Sequence, residues 1–178
     1  VAELTKSACE GKDPCNAIVE IANPADELTN LALKAIRDGQ AGSNVKVVGT
    51  FQSNYDPAQV TKNLPDLLTA NPETNVVVTI ADNTAVAAVP IVKESGKDIK
   101  ITANGGSRAG AKGVKSGELS GSLGLWPRQA GVIAGEAALK AINGETIEQP
   151  GVDQFKIDKP FLLNKDNIDQ FKPEWGAE

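Results

Sequence analysis

The chain has 178 residues, of which 40% are hydrophobic and 23% charged, with a formal net charge of −5. That balance suits a globular chain able to build its own core, and it excludes a basic, phosphate-tracking surface and any apolar run long enough to span a bilayer. Histidine is absent and cysteine occurs twice, which rules out a Ser-His-Asp triad and leaves no reason to expect a metal or cofactor.

Residues 1–8 read as the end of a helix. There is no methionine and no basic-then-apolar leader, so the chain reads as a processed or truncated product. Cys9 and Cys15 have the spacing C-x5-C, which is neither a CxxC redox motif nor a zinc motif. The intervening Gly11 and Pro14 would help the loop fold back. A short-loop disulfide and two free thiols are both open on spacing alone.

Residues 17–21 form a short apolar run and read as a buried strand. Between 26 and 38, apolar residues recur at helical spacing and Gly39 stops the helix. Residues 45–51 are β-branched and apolar, hence a second strand. A helix opens at Tyr55-Asp56-Pro57 and runs towards Ala70, with Pro65 inside it. An interior proline costs about 3 kcal/mol, so a kink or two short helices is expected. Residues 75–80 make a third strand, and Asp82 is placed to cap a helix over 83–95, which Pro90 should bend. Residues 99–103 make a fourth strand. Ser107 can cap a helix to 116, and 119–125 make a fifth strand. Pro127 suits the first turn of a helix reaching Gly144. Residues 155–163 suggest extended pieces and 166–171 a helical turn.

Apolar strands alternating with helices indicate an α/β fold with a parallel sheet and helices on both faces. In such sheets ligands bind beyond the carboxyl ends of the strands. Those positions carry Asn, Asp, Tyr and Trp, with no nucleophile–base pair, no G-x-G-x-x-G and no GxxxxGK[ST]. Tyr55, Asp82, Asn104 and Trp126 are the candidate ligand-binding residues, and no residue is assigned a catalytic role. Each has a plain structural reading as well. Asp82 can be a helix cap, Tyr55 and Trp126 half-buried aromatics, and Asn104 a residue tolerating a left-handed turn. Together they fit a neutral polyol. Amides and carboxylates pair with vicinal hydroxyls, and aromatic faces cover the C–H side of a sugar ring.

Several stretches, in order, carry a family resemblance. They are LLTANPETNV at 67–76, IADNTA at 80–85, NGGS at 104–107, LWPRQAG at 125–131, 137–144, and LLNKDNID at 162–169. These resemble the LLxANPDxxxV, xxNDxxA, polar-then-Gly, QxPxxxG, AxxxLxGE and lvtkdNvd elements of the ribose/galactose-type periplasmic sugar-binding proteins of ABC importers. Departures occur at Ala81, where the family often has Asn, at Leu28 and Asn30, where it often has a sugar-binding Arg, and at Leu125, in place of the hinge Gln.

The resemblance implies two α/β lobes joined by three crossing strands, with most of the N-terminal lobe missing from this chain. Residues 1–125 would be the C-terminal lobe, 126–150 a hinge crossing and a helix of the other lobe, and 151–178 the return crossing and tail. It implies a sugar or similar small polar solute in an interlobe cleft, delivered to the membrane permease of an ABC importer. It also implies a periplasmic or extracytoplasmic location, a Cys9–Cys15 disulfide, no enzyme activity and no nucleic-acid partner. The alternative is the effector-binding domain of a lac-repressor-like regulator. Without its other lobe, the helix after Pro127 would expose Val132, Ile133, Leu139 and Ile142, pack back, or drive self-association.

Overall fold

The computed structural model describes residues 1–147, 151–157 and 160–176. In chain order the elements are α1 (Ala2–Ala8), β1 (Cys15–Ile21), α2 (Glu27–Arg37), β2 (Val45–Gln52), α3 (Pro57–Ala70), β3 (Thr74–Val78) and α4 (Asp82–Glu94). They continue with β4 (Lys100–Gly105), α5 (Arg108–Ser116), β5 (Gly121–Gly124), α6 (Pro127–Ile142), α7 (Gln154–Ile157), β6 (Leu162–Leu163) and a 3-10 turn at Ile168–Gln170. The strand order is β2-β1-β3-β4-β5-β6. β1 to β5 pair in parallel and β6 joins β5 antiparallel. The order reverses between β1 and β3, so the chain leaves the sheet in opposite senses there and opens a crevice at the strands' carboxyl ends.

Strand alternation divides the core. Ile18, Val77 and Ile101 face α3, α4 and α5, where Val60, Leu64, Ala88 and Val114 bury their side chains. Ala17, Val19, Val76 and Val78 face α1 and α2, against Leu33 and Ile36. Each such aliphatic side chain contributes about 1.5–3 kcal/mol on burial. Cys9 and Cys15 are bonded to one another across a Cα–Cα distance of 5.6 Å, which pins the end of α1 to the first residue of β1. Both cysteines are buried.

α3 runs unbroken through Pro65, and α4 through Pro90, so the expected split of α3 does not occur. Both prolines lie on exposed faces. The carbonyls that lose a donor belong to Thr61 and Val86, themselves exposed, where water replaces the missing N–H. A second correction concerns Asp82. It is the first residue of α4, the cap position belongs to Ala81, and no side chain caps that helix. The Asp82 carboxyl instead reaches across the sheet end. One oxygen accepts from the Ser107 N–H at 2.6 Å and the other from the Ser122 hydroxyl at 2.8 Å. Only 1% of Asp82 is exposed. The expected extended pieces over 155–163 reduce to β6, preceded by the short α7, and residues 158 and 159 fall outside those described.

α6 differs from every other long helix: none of its 16 residues is buried. Val132, Ile133, Leu139 and Ile142 are 53%, 42%, 62% and 81% exposed, so these apolar side chains are largely uncovered by the described residues.

Two measurements follow from this packing. A β-carbon at Gly110 would overlap the Asp82 carboxyl, so Gly110→Ala should lower unfolding free energy by about 2 kcal/mol through overpacking. Urea denaturation showing no loss would contradict the Asp82 geometry. Replacing both cysteines by serine opens a small loop, and the same assay should record a loss of about 2 kcal/mol.

Candidate functional site

At the end of β1 the chain turns through Asn23 and Pro24 to Asp26, whose carboxyl caps α2 by accepting from the Thr29 N–H at 3.2 Å. At the end of β2, Asn54 and Tyr55 are both left-handed, with φ of 52° and 61°. Such a conformation costs about 1–2 kcal/mol per non-glycine residue, so the surroundings must impose it. They do so with several bonds. The Ser53 and Asn54 N–H groups donate to the Ile21 and Ala22 carbonyls at 2.9 and 2.8 Å. The Tyr55 N–H donates to Ser53 Oγ at 3.1 Å, and Asn83 Nδ2 donates to the Tyr55 carbonyl at 3.0 Å. The Tyr55 hydroxyl donates to Asp26 Oδ2 at 2.7 Å. The ring is therefore aimed by the ends of β1, β2 and α4 together. Burial and the Asp26 carboxylate push the Tyr55 hydroxyl pKa up to about 12. The same bond, with the Thr29 N–H, holds Asp26 below the usual carboxylate range.

Tyr55 and Asn104 line one cavity of about 620 Å³ with Leu28, Ile80, Leu123 and Leu125. Asn104 Oδ1 is buried and has no hydrogen-bond partner, an unsatisfied acceptor at the end of β4. Asp82 and Trp126 do not line this cavity. Asp82 is spent on Ser107 and Ser122. Trp126 is 2% exposed and packs edge-on against Phe171, with ring centroids 5.5 Å apart. Of the four sequence candidates, the fold thus brings Tyr55 and Asn104 into one concavity and buries the other two away from its lining. A separate groove of about 670 Å³ runs between β2 and α3, lined by Gln52, Asn63 and Asp66. It shares no residue with the cavity.

Sequence reasoning missed Glu20. It sits on β1 at 0% exposure, one side of the crevice where the strand order reverses. Its Oε2 accepts from the Ile80 N–H at 3.0 Å and the Thr84 hydroxyl at 2.8 Å, tying β1 to the end of β3 and the start of α4. Oε1 has no partner. Burial pushes the Glu20 pKa up, against the smaller opposing pulls of Ser53, Ile80 and Thr84. The signal was one acid inside an otherwise apolar run, Ala17-Ile18-Val19-Glu20-Ile21.

Sequence reasoning also missed the tail. Glu174 Oε2 accepts from the Arg128 and Gln129 N–H groups at 2.9 and 3.3 Å, capping α6 from outside. Trp175 donates its indole N–H to the Gly105 carbonyl at 3.1 Å. Thr29 and Asp153 also line the cavity, and among the described residues no cluster of His, Cys, Asp or Glu could hold a metal ion. The arrangement can orient a polar solute.

Residues 1–146 match the family described as periplasmic binding protein domain. The ribose import binding protein of Salmonella typhimurium is 28% identical over 109 residues, covering 61% of this chain and 37% of that protein. The protein of the same description from Bacillus subtilis is 25% identical over 109 residues, covering 61% of this chain and 36% of that one. This chain thus matches little more than a third of the length of these relatives. Among solved structures, an ABC transporter periplasmic solute binding protein from Actinobacillus succinogenes with bound D-allose is similar, with a TM-score of 0.80 and 25% identity. The match covers 94% of this chain and 59% of that one. A solute binding protein from Bacillus halodurans shares the fold, with a TM-score of 0.80 and 17% identity over 95% of this chain and 58% of that one.

Glu20 supplies a pH prediction. Its folded pKa lies above its ordinary value of 4.5, so its contribution to stability is fully present below that value and lost as pH rises through the folded pKa. A glutamine at this position keeps an acceptor for Ile80 and Thr84 without the charge. The stability of Glu20→Gln relative to the wild type should therefore rise with pH from 4.5 upwards. Urea denaturation of both proteins across that range reads it, and a pH-independent difference would show that Glu20 carries no buried charge.

Proposed function

We propose, from the premise that this chain belongs to the periplasmic binding protein domain family, that it is the sugar-binding side of a solute-binding protein serving an ABC importer. The observation that carries this reading is the pairing of Tyr55 and Asn104 in one cavity at the carboxyl edge. One is an aromatic ring fixed by its own hydroxyl, the other a buried acceptor without a partner. A sugar supplies both complements, a C–H face for the ring and a hydroxyl donor for Asn104. The relatives' descriptions as ribose import and ABC transporter binding proteins support the same class. Nothing in this role calls for catalysis.

The lobe division follows on the same footing. Residues 1–125 form the lobe that carries the site. Residues 126–150 would cross to the other lobe and supply it with α6, which is why that helix buries no residue here; residues 148–150 lie outside those described. Residues 151–178 return, and β6, Ile168 and Phe171 rejoin the first lobe's sheet and core. The solute would be held in the cleft between lobes and delivered to a membrane permease. The Cys9–Cys15 disulfide supports an oxidising, extracytoplasmic location and weighs against a cytoplasmic regulator's effector domain. Among the described residues no helix is long and apolar enough to cross a membrane.

A sugar on one open lobe keeps much of its hydration, so its hydrogen bonds exchange with water at little net gain. The 178-residue chain alone should bind D-ribose or D-allose at about millimolar Kd or weaker, near −4 kcal/mol, with Asn104→Ala abolishing the signal. Calorimetry and sedimentation of one sample test this. Micromolar binding by a strictly monomeric chain would show the site to be complete without a second lobe.

A further inference from the structure

The tail from Phe171 onward crosses the carboxyl edge of the sheet and is tied down along its length. Glu174 caps the start of α6. The Trp175 carbonyl accepts from the Arg108 N–H at 2.9 Å, and the Gly176 carbonyl accepts from the Arg108 guanidinium at 2.8 Å, so the first residue of α5 holds two successive tail carbonyls. The Trp175 indole N–H closes on the Gly105 carbonyl. That carbonyl also accepts from the Leu125 N–H at 3.2 Å, and Leu125 lines the cavity.

The indole lies so close to the end of β4 that only glycine fits there. A β-carbon at Gly105 would stand 2.8 Å from Trp175 Cζ2 and 2.9 Å from Asp82 Oδ2, in a backbone with φ of +144°. Gly105 follows Asn104 directly, so the indole borders the turn that carries the unpartnered acceptor. Despite these anchors, 38% of Trp175 remains exposed, whereas Trp126 is 2% exposed.

We propose that Trp175 is a ligand-contacting residue, supplying the aromatic surface for the C–H face of the sugar that the sequence assigns to Trp126. This deepens the sugar-binding reading and rests on it. The geometry separates the indole's two functions. Its N–H is committed to Gly105 and sets the ring's position, while 38% of the residue stays exposed and can meet a ligand. Glu174 and the two carbonyls on Arg108 would hold the strap without the ring, so the ring is not needed to keep the tail in place. Trp175 does not line the cavity that holds Tyr55 and Asn104; its link to Asn104 runs through the adjoining Gly105.

The chain contains two tryptophans, so nitrogen-15 spectra show two indole resonances, and Trp175→Phe assigns them by loss. The 178-residue protein is titrated with D-ribose, D-allose and myo-inositol to about 50 mM, enough to read millimolar affinity. The expected result is saturable movement of the Trp175 indole together with the Asn104 and Tyr55 amides, with the Trp126 indole still. Trp175→Ala should weaken binding about tenfold and Trp175→Phe less than about threefold, because phenylalanine keeps an aromatic face. A strap with only a structural role would leave the indole unmoved by sugar. Movement of the Asn104 and Tyr55 amides without the indole, or unchanged affinity in Trp175→Ala, overturns the proposal and leaves the sugar-binding reading standing. No movement of any edge resonance with all three probes overturns both.

Discussion

The carboxyl edge of this sheet is organised by one buried group, the Asp82 carboxyl. It takes the Ser107 N–H on one oxygen and the Ser122 hydroxyl on the other, so a single side chain joins the start of α4, the start of α5 and the middle of β5. Gly105 and Gly110 both leave the room it occupies. An acid removed from water is tolerated only when donors replace its hydration. Those donors come from two elements distant in sequence, so the carboxyl can be satisfied only when the strand ends are in register. The Asn104 turn lies in the path of this network, between Ala103 of β4 and the glycines that clear space for Asp82.

Glu20 is the counterpart on the other side of the edge. It bonds to the end of β3 and the start of α4 from the middle of the crevice where the strand order reverses. Its second oxygen has no partner, and burial makes its cost depend on ionisation. The adjoining turn holds Asn54 and Tyr55 in the left-handed region. Left-handed residues after β2 and an incompletely satisfied acid on β1 thus hold this edge's geometry at the expense of stability. The Tyr55 hydroxyl bond to Asp26 fixes the ring's position at the cavity.

The two faces of the protein have opposite degrees of closure. The lobe body buries Ile18, Val77, Ile101 and their helical partners fully, while α6 buries nothing. A helix with Leu139 and Ile142 mostly in water does not gain its stability from this lobe. The tail reaches back to cap that helix through Glu174. The same strap carries Trp175 to the end of β4, so the start of α6 and the carboxyl edge of the sheet are tied by one segment.

The alternation of apolar strands and amphipathic helices was legible in the sequence because period and composition are local, and it gave the α/β class and the boundaries of β1, α2, β2, α4 and β4 within a few residues. That Asn104 and Tyr55 stand at strand ends was also legible, and the fold brings them to one cavity. The partners of Asp82 were not. A carboxyl at a helix start looks the same whether it caps its own helix or bonds to serines 25 and 40 residues away. The continuity of α3 through Pro65 was likewise hidden, since the cost of a lost hydrogen bond depends on whether the freed carbonyl faces water. Trp126 and Trp175 show the same division. Local sequence marks both as large aromatic rings. Only the folded chain decides that Phe171 covers the first and that Gly105 holds the second at the edge, because burial is a property of what packs alongside and not of the residue itself.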